Sequence, residues 1–142
     1  PLQRMDSIHL GSDQFYVVLP EGHPLSAYEK VPTALLQDYP FFMLKSGVNT
    51  EVERYFEEND LHVKTQYTLW DDFITMAMVE KGIGIAMMSG TILKRTPFHL
   101  VIREPEVPLT RELGFVLRSR ETCSVAMKRF LEYLPYGLEP SP

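Results

Sequence analysis

Residues 70–88, W-D-D-F-I-T-M-A-M-V-E-K-G-I-G-I-A-M-M, form a largely apolar run that two glycines interrupt. The run begins after Asp71 or Asp72, either of which can act as a helix N-cap, and it continues to Lys81. We predict a helix here, and because its residues are apolar on nearly all sides, we expect more than one neighbouring element to cover it. Gly82 closes the helix, and residues 83–88 form a buried strand.

The order of these elements excludes a phosphate-binding loop, although the spacing of the glycines resembles one. Nucleotide-binding glycine loops follow a strand and open a helix, whose N-terminal N–H groups hold the phosphate. Here Gly82 and Gly84 follow a helix and open a strand, and the carbonyl oxygens of a helix C-terminus repel phosphate. We therefore predict that Gly82 is a left-handed C′ residue and that Gly84 allows a neighbouring element to approach closely.

Short strands and helices alternate along the rest of the chain. Runs of β-branched and aromatic residues, or alternation with period two, predict strands at 15–19, 40–44, 62–67 (near a sheet edge), 98–102 and 112–117. Apolar residues at helical spacing, or capping residues, predict a helical turn at 32–37 and helices at 50–59, 89–94 and 122–134. The alternation predicts an α/β fold: a doubly wound, mostly parallel sheet with helices on both faces.

Three details of these elements are specific enough to be checked. Thr50 and Glu53 have the spacing of a capping box, and a hydroxyl cap is expected to begin the 89–94 helix. The connection at 103–108 reads as a proline-stiffened loop with its charges outward. In the last helix we expect five residues to face inward: Ala126, Met127, Phe130, Leu131 and Leu134.

Composition narrows the class of protein. The 142 residues include 44% hydrophobic and 23% charged residues, which is the ordinary globular range, and no stretch reaches the roughly 20 apolar residues of a membrane span. The formal charge of -5 disfavours nucleic-acid binding by this chain, which would require a basic surface. The single cysteine excludes an internal disulfide and is typical of a reducing, cytoplasmic compartment.

The sequence contains no strong signal of catalysis, a metal site or a cofactor. The four histidines, at positions 9, 23, 62 and 99, have no metal-ligand spacing, and Cys123 has no histidine in dyad relation to it. The carboxylate pairs at 57–58 and 104–106 are explained by a solvated surface, and Asp71 with Asp72 by helix capping. We therefore expect a protein that is not an enzyme and that holds no cofactor.

The segment K-S-G-V-N-T, residues 45–50, is the best candidate for a binding site. Ligands of doubly wound sheets bind beyond the carboxyl ends of the strands, which directs attention to the loops at 45–50 and 68–72. Lys45, Ser46, Asn49 and Thr50 supply a cation and hydrogen-bonding groups immediately before a helix whose free N–H groups favour an anion. Two interpretations stay open: these residues only cap their own helix, or they also contribute to a small-anion site.

Several stretches together resemble the effector-binding domain of LysR-type transcriptional regulators. They are F-Y-V-V-L-P-E-G-H-P-L-S (15–26), D-Y-P-F-F-M-L-K-S-G (38–47), the 70–88 stretch quoted above, and R-E-L-G-F-V-L-R (111–118) before an amphipathic helix. Their order and spacing match from about residue 8 to residue 134. One departure is Met88-Ser89-Gly90, where family members commonly have a proline, and it leaves the local path less rigid.

The resemblance implies a two-lobed fold similar to type 2 periplasmic solute-binding proteins. A small inducer would bind between the lobes, and closure would change how a homo-oligomer, a dimer or tetramer, presents N-terminal winged helix-turn-helix domains to DNA. On that pattern residues 1–13 are a crossover segment from a missing first lobe, 14–110 are the second lobe, and 111–142 are the return strand and last helix of the first lobe. We expect a fragment with one wall of the site, weak effector affinity and exposed apolar surface.

The resemblance also implies which residues would contact the effector. They lie in the two loops and on the return strand: Lys45, Ser46, Gly47, Asn49, Thr50, Leu69, Trp70, Asp71 and Phe115. Lys45 beside a helix N-terminus suggests a small organic anion, and Trp70 and Phe73 could flank its apolar body. Two other functions remain as alternatives, a solute-binding receptor of a transport system and an enzyme on a related scaffold.

Overall fold

A computed structural model describes residues 5–45, 50–119 and 121–134, and these fold into strands and short helices that alternate along the chain. The strands are β1 (Asp6–Leu19), β2 (Lys30–Val31), β3 (Pro40–Leu44), β4 (Lys64–Leu69), β5 (Ile85–Ser89), β6 (Val101–Pro105) and β7 (Thr110–Leu117). The helices are α1 (Glu51–Glu58), α2 (Asp72–Glu80), α3 (Gly90–Leu93) and α4 (Val125–Glu132), with 3-10 turns at Pro24–Ala27 and Thr33–Asp38.

The strands join in one mixed sheet of order β2-β6-β1-β5-β3-β4, and β7 pairs with β1. The pairs β3 with β4, β3 with β5 and β2 with β6 are parallel, whereas β1 runs antiparallel to β5 and β6. By contacts, the chain divides into one unit of Asp13–Arg111 and another of Pro1–Ser12 with Glu112–Pro142. The predicted α/β class and the position of β4 at a sheet edge are confirmed.

Within the Asp13–Arg111 unit, the two faces of the sheet pack separate hydrophobic clusters. Successive strand residues point to opposite faces, so Val17 joins the cluster of α1 while Val18 joins the cluster of α2 and α3. Phe41 and Phe42 divide in the same way, and both are almost fully buried. This arrangement places helices on both faces of the sheet, as the sequence predicts.

Helix α1 follows the sequence prediction closely. Thr50 is its N-cap, and the capping box with Glu53 is present in both directions. Val52, Tyr55 and Phe56 form the buried stripe, and the rings of Phe56 and Phe41 meet edge to face with centroids 5.0 Å apart. Local capping and one apolar face are therefore sufficient to define this helix.

Helix α2 contacts more than one neighbouring element, as predicted, but it is not covered all round. Thr75, Met76 and Val79 are buried, but Phe73 and Ile74 are 59% and 54% exposed in the first turn. The sheet covers one face of the helix, and the segment after α3 contacts it through Phe98, whose ring centroid lies 6.0 Å from that of Phe73. The first turn stays exposed because these contacts cover little of it. At its other end Gly82 has φ +72, and a Cβ on Gly84 would lie 2.7 Å from the carbonyl oxygen of Pro40, so both glycine predictions are confirmed.

Three further sequence predictions are wrong in detail. β6 occupies 101–105 rather than 98–102, because the backbone of Arg103 and Glu104 pairs with β1 and β2 where a loop was expected. Ser89 does precede α3, but its hydroxyl makes no cap hydrogen bond and donates to Asp13 instead. In α4 only Leu131 is buried among the five residues expected to face inward, since Met127 and Phe130 are 37% and 47% exposed.

Candidate functional site

A cavity of about 130 Å³ lies within the Asp13–Arg111 unit, at the edge of the sheet where parallel strands β3, β4 and β5 end. The side chains around it come from the strand ends and from the starts of α1, α2 and α3. They are Phe15, Leu44, Lys45, Thr50, Glu51, Val52, Trp70, Asp72, Met87, Met88, Ser89, Ile92 and Arg111. Carboxyl ends of parallel strands are where ligands of such sheets bind, so the fold favours this edge for binding.

The start of α1 forms one side of the cavity and is satisfied by its own residues. Glu53 Oε2 accepts a hydrogen bond of 2.9 Å from the Thr50 backbone N–H, and Thr50 Oγ1 accepts one of 3.3 Å from the Glu53 N–H. Lys45 Nζ lies 3.4 Å from Glu53 Oε1. The Thr50 N–H and, to a smaller extent, Lys45 lower the pKa of Glu53 against the opposing effect of burial, so a carboxylate already occupies this helix N-terminus.

The start of α2 forms a second side and carries two carboxylates. Asp71 Oδ1 accepts a hydrogen bond of 2.9 Å from the Ile74 N–H, which confirms it as the N-cap. Asp72 lines the cavity, and burial together with the neighbouring Asp71 charge raises its pKa, although Arg111 partly offsets the shift. The adjacent Trp70 is 77% exposed and lines the cavity, which gives this side a large apolar surface.

The innermost polar group is the carboxylate of Asp13, whose side chain is only 2% exposed. Ser89 Oγ donates to Oδ2 at 2.5 Å, and the Thr91 N–H and hydroxyl donate to Oδ1 at 3.1 and 3.0 Å. Arg111 Nε and Nη2 donate to Oδ2 at 3.2 and 2.9 Å. Burial alone would raise the pKa of Asp13, but these hydrogen bonds outweigh it and lower the pKa below its ordinary value.

Arg111 connects this buried carboxylate to the cavity. Its guanidinium carbon lies 5.1 Å from the centroid of the Phe15 ring, in cation–π range, and Nη1 lies 3.7 Å from Glu51 Oε1. The side chain is 31% exposed. Arg111 is therefore hydrogen-bonded to Asp13, packed by an aromatic ring, and only loosely ion-paired with Glu51 on its remaining nitrogen.

The sequence prediction missed two cavity residues, Arg111 and Asp72, and the buried Asp13 that anchors Arg111. Asp13 stands 76 residues from Ser89 and 98 from Arg111, so no local spacing marks the cluster. It forms because Phe15 of β1 is registered opposite Ser89 of β5, while the Phe15 N–H donates to the Leu109 carbonyl just before β7. Only strand pairing brings these residues together.

The sequence-predicted site residues occupy different places. Lys45, Thr50 and Trp70 line the same cavity, whereas Asp71 caps α2 beside it. Leu69 is partly buried against the α2 cluster, and its carbonyl accepts a 2.8 Å hydrogen bond from the Lys45 N–H. Phe115 belongs to the other unit, where its ring meets that of Phe130 at 5.6 Å. Ser46, Gly47 and Asn49 lie outside the described residues, and a role of any of these residues in binding stays a prediction.

A second, wider groove of about 590 Å³ lies elsewhere in the same unit, beside the first 3-10 turn and β6. Arg103 lines it and donates through Nε and Nη2 to the Ser26 carbonyl at 3.2 and 3.1 Å. Lys30 and Glu104 form an exposed ion pair of 3.5 Å at its wall. Arg103, Lys30 and Glu104 are thus engaged with the protein itself, and none of the predicted site residues lines this groove.

Neither a metal-ligand cluster nor a membrane-spanning helix is present among the described residues. No three His, Cys, Asp or Glu side chains among them are placed to hold a metal ion together. Among the same residues, no helix has the length and apolar character that crossing a bilayer requires. Cys123 is partly buried and its thiol donates to the Ser119 carbonyl at 3.2 Å.

Comparison with solved structures supports the fold. The regulatory domain of CcmR from Synechocystis PCC6803, in complex with 2-PG, superimposes with a TM-score of 0.82 at 22% identity, over 94% of this chain and 66% of that one. The effector-binding domain of QuiR, in complex with shikimate, gives a TM-score of 0.78 at 21% identity, over 94% and 65% of the two chains. Both neighbours bind small molecules, and the likeness establishes a periplasmic-binding-protein-like fold for this chain.

Sequence relatives point to the same family. A Bacillus subtilis protein described as an uncharacterized HTH-type transcriptional regulator, YvbU, is 25% identical over 134 residues, covering 93% of this chain and 46% of the relative. The RuBisCO operon transcriptional regulator of Acidithiobacillus ferrooxidans is 27% identical over 123 residues, covering 83% and 40%. The chain thus spans about half the length of these curated relatives. A model of the LysR substrate binding domain matches residues 1–138, and the chain belongs to this family.

Proposed function

We propose that this chain senses a small organic effector for a LysR-type transcriptional regulator, and that the 130 Å³ cavity forms one wall of the effector site. The observation that carries the proposal is the position of the cavity, beyond the carboxyl ends of β3, β4 and β5. Small-molecule sites combine an apolar lining with a few polar groups, and at about 130 Å³ this cavity has such a lining but only part of the usual volume, as one wall of a site would. Family membership supports the regulatory role, since the curated relatives are transcriptional regulators.

The effector contacts follow from the sequence prediction and the cavity wall together. Trp70 and the strand ends would cover the apolar body of the effector, while Lys45 and Thr50 would lie at its polar end. Ser46, Gly47, Asn49, Leu69, Asp71 and Phe115 stay in the proposed set on the strength of the family resemblance. We propose that the effector is an organic anion whose acidic group lies on one of the two cavity cations, Lys45 or Arg111, and away from the carboxylates of Glu51 and Asp72.

The action of the whole protein is part of the same proposal. Effector binding would draw the lobes of the regulator together and rearrange a homo-oligomer in the cytoplasm, with DNA bound by a separate helix-turn-helix domain. Residues 14–110 would be the effector-binding lobe, flanked by a crossover segment at 1–13 and a return strand and helix at 111–142. This chain would have no catalytic activity and hold no cofactor, and its charge of -5 suits a domain that leaves DNA contact to another.

Trp70 provides a direct test, because it is the single tryptophan of the sequence and lines the cavity. The purified protein is titrated with a panel of small carboxylic acids, their neutral amides and small amines, while tryptophan fluorescence and melting temperature are recorded. A saturable change in Trp70 fluorescence with a parallel rise in melting temperature supports sensing at this cavity. Melting that rises while Trp70 fluorescence stays constant places binding elsewhere, and no response to any compound contradicts the proposal.

A further inference from the structure

Two cations, Lys45 and Arg111, line the described part of the cavity, and they differ in how firmly the protein positions them. Lys45 faces Glu53, a carboxylate that is itself held by the Thr50 N–H and hydroxyl. The Lys45 side chain is 42% exposed and flexible, so it is a weakly positioned point charge. A ligand carboxylate at Lys45 would therefore meet Glu53 at the same helix start and be repelled by it.

Arg111 is placed differently, because its partner Asp13 does not depend on it for hydrogen bonds. Ser89 and Thr91 supply three donors to the Asp13 carboxylate, and Arg111 adds two more through Nε and Nη2. The three neutral donors hold the Asp13 carboxylate in place without Arg111, so Asp13 serves as a fixed anchor for the guanidinium. The remaining terminal nitrogen, Nη1, lies 3.7 Å from Glu51 Oε1, which is beyond hydrogen-bond distance.

The guanidinium is also held in one orientation before any ligand arrives. Two of its nitrogens are bonded to one oxygen of a nearly inaccessible carboxylate, and the Phe15 ring packs against it. A planar fork fixed in this way loses little conformational entropy when its free edge binds an oxyanion. Such preorganisation is what allows an arginine to discriminate between an anion and a neutral isostere.

We propose that Arg111 is the specificity-determining residue of this site, and that its cavity-facing edge binds the acidic group of a small carboxylate or phosphate. This inference rests on the proposed sensing function and refines it by moving anion recognition from Lys45 to Arg111. The acidic head must be compact, because Glu51 and Asp72 also line the cavity and disfavour negative charge that does not lie directly on Arg111.

The test uses inorganic phosphate as the probe and the nitrogen signals of the arginine side chains, observed by NMR, as the readout. Phosphate titrated into the wild-type protein should shift the Arg111 guanidinium signals saturably. Arg111→Gln should weaken phosphate binding about 10-fold to 100-fold, as expected for loss of charge-assisted hydrogen bonds. Arg54→Gln is the matched control, because Arg54 is exposed on α1 outside the cavity and removes the same charge.

Asp72→Asn shows whether weaker phosphate binding in Arg111→Gln comes from the lost contact or from general damage to the fold. Removing this carboxylate from the cavity wall should strengthen phosphate binding, by about 2-fold to 5-fold, because a repulsive charge near Arg111 is lost. Binding weakened in Asp72→Asn as well as in Arg111→Gln would indicate general damage and overturn the proposal. If Arg111→Gln does not fold, Arg111→Lys should bind phosphate with intermediate affinity, since it keeps the charge and loses the fork.

The outcomes also distinguish this proposal from the sensing function. Arg111 signals that do not respond to phosphate, or phosphate affinity that Arg111→Gln leaves unchanged, overturn the role of Arg111. A neutral compound that alters Trp70 fluorescence equally in the wild type and in Arg111→Gln also overturns it while leaving sensing intact. If phosphate binds at Arg111 but no organic compound alters Trp70, the sensing proposal fails and the anion site stands.

Discussion

Two polar clusters border the same cavity, and they are built in opposite ways. At the start of α1, Lys45, Thr50 and Glu53 lie within nine positions of one another and satisfy each other locally. Beside Arg111, the Asp13 carboxylate accepts hydrogen bonds from Ser89 and Thr91, which lie 76 and 78 residues away in the sequence. The local cluster is partly exposed and the other is buried. We infer that the buried cluster contributes more to stability, because unpaired buried charges are costly and exposed caps are worth little.

The two glycines of the 70–88 stretch repeat this contrast. A glycine is required at position 82 by its own backbone, because φ there is +72. Steric crowding is not the reason, since a Cβ at this position would meet no atom within 4 Å. Gly84 is required by another part of the fold, because its Cβ would collide with the Pro40 carbonyl and the Phe42 ring. Local backbone conformation therefore requires the first glycine, and tertiary packing requires the second, although they are two residues apart in the sequence.

The largest effect is expected for Asp13→Asn, which breaks the tertiary cluster without changing its size. The free energy of unfolding, measured by urea denaturation at neutral pH, should fall by about 3 kcal/mol, because Arg111 loses its partner and the Ser89 and Thr91 donors face an amide. The matched control is Asp38→Asn, an exposed aspartate that should leave stability within about 0.5 kcal/mol. An equal loss in both variants would contradict the special position of Asp13.

Asp13→Asn should also remove the part of the loss of unfolding free energy at low pH that comes from protonation of Asp13. Because the pKa of Asp13 is lowered on folding, its charged form stabilises the protein at pH values above the ordinary 3.8, and this stabilisation is lost as the pH falls through the lowered pKa. Unfolding free energies of the wild type and Asp13→Asn should therefore converge in acid. Curves that stay parallel down to the lowest accessible pH would show that the charge of Asp13 contributes nothing.

The second effect is expected for Gly84→Ala, which should lower the free energy of unfolding by about 2 kcal/mol. The added methyl group would lie 2.7 Å from the Pro40 carbonyl oxygen, and a backbone atom in a buried strand cannot move aside cheaply. Gly82→Ala is the local counterpart and should cost about 1 kcal/mol through its left-handed backbone alone. Chemical denaturation of the two variants tests the order, and a larger loss at Gly82 would reverse our interpretation.

The third effect, about 1 kcal/mol, is expected for Thr50→Ala. This change removes the hydroxyl that accepts the Glu53 N–H and leaves the remainder of the capping box in place. Amide hydrogen exchange should show faster opening of α1 with little change in the β5 core. Thr68→Ala, a threonine on β4 that caps no helix, serves as the control for loss of a hydroxyl. If Thr50→Ala lowered the global free energy of unfolding as much as Asp13→Asn does, the two clusters would contribute equally to stability and our comparison would be wrong.

The smallest effect is expected for Asp72→Asn, and its sign is opposite to the others. Burial and the Asp71 charge raise the pKa of Asp72, so folding disfavours its ionised form at pH values above the raised pKa. Removing the charge should increase stability at neutral pH by a few tenths of a kcal/mol, roughly the scale of like-charge pairs on helices. The gain should vanish as the pH falls below 3.8 and the wild-type carboxyl becomes protonated. A loss of stability at neutral pH would be inconsistent with this account.

Helices α1, α2 and α4 show which features of a helix a sequence pattern can predict and which it cannot. The capping box and single apolar stripe of α1 specify both its limits and its buried face, because the information is contained in ten consecutive residues. For α2 the apolar pattern predicts a helix but not which side is covered, since that depends on the sheet it packs against. The exposed apolar residues of α4 show the same limit, because periodicity predicts an apolar face but does not predict which element, if any, packs against it.

The sequence by itself determined the order of the helices and of every strand except β2, the caps of α1 and α2, the roles of both glycines and the resemblance to LysR effector-binding domains. Each of these depends on residues that are close in the chain or on motifs in fixed order. The tertiary structure alone decided that Asp13, Ser89, Thr91 and Arg111 meet beside the cavity, and that Ser89 serves Asp13 rather than α3. The physical reason is that strand register across 76 to 98 residues places these side chains together, and no local pattern encodes that register.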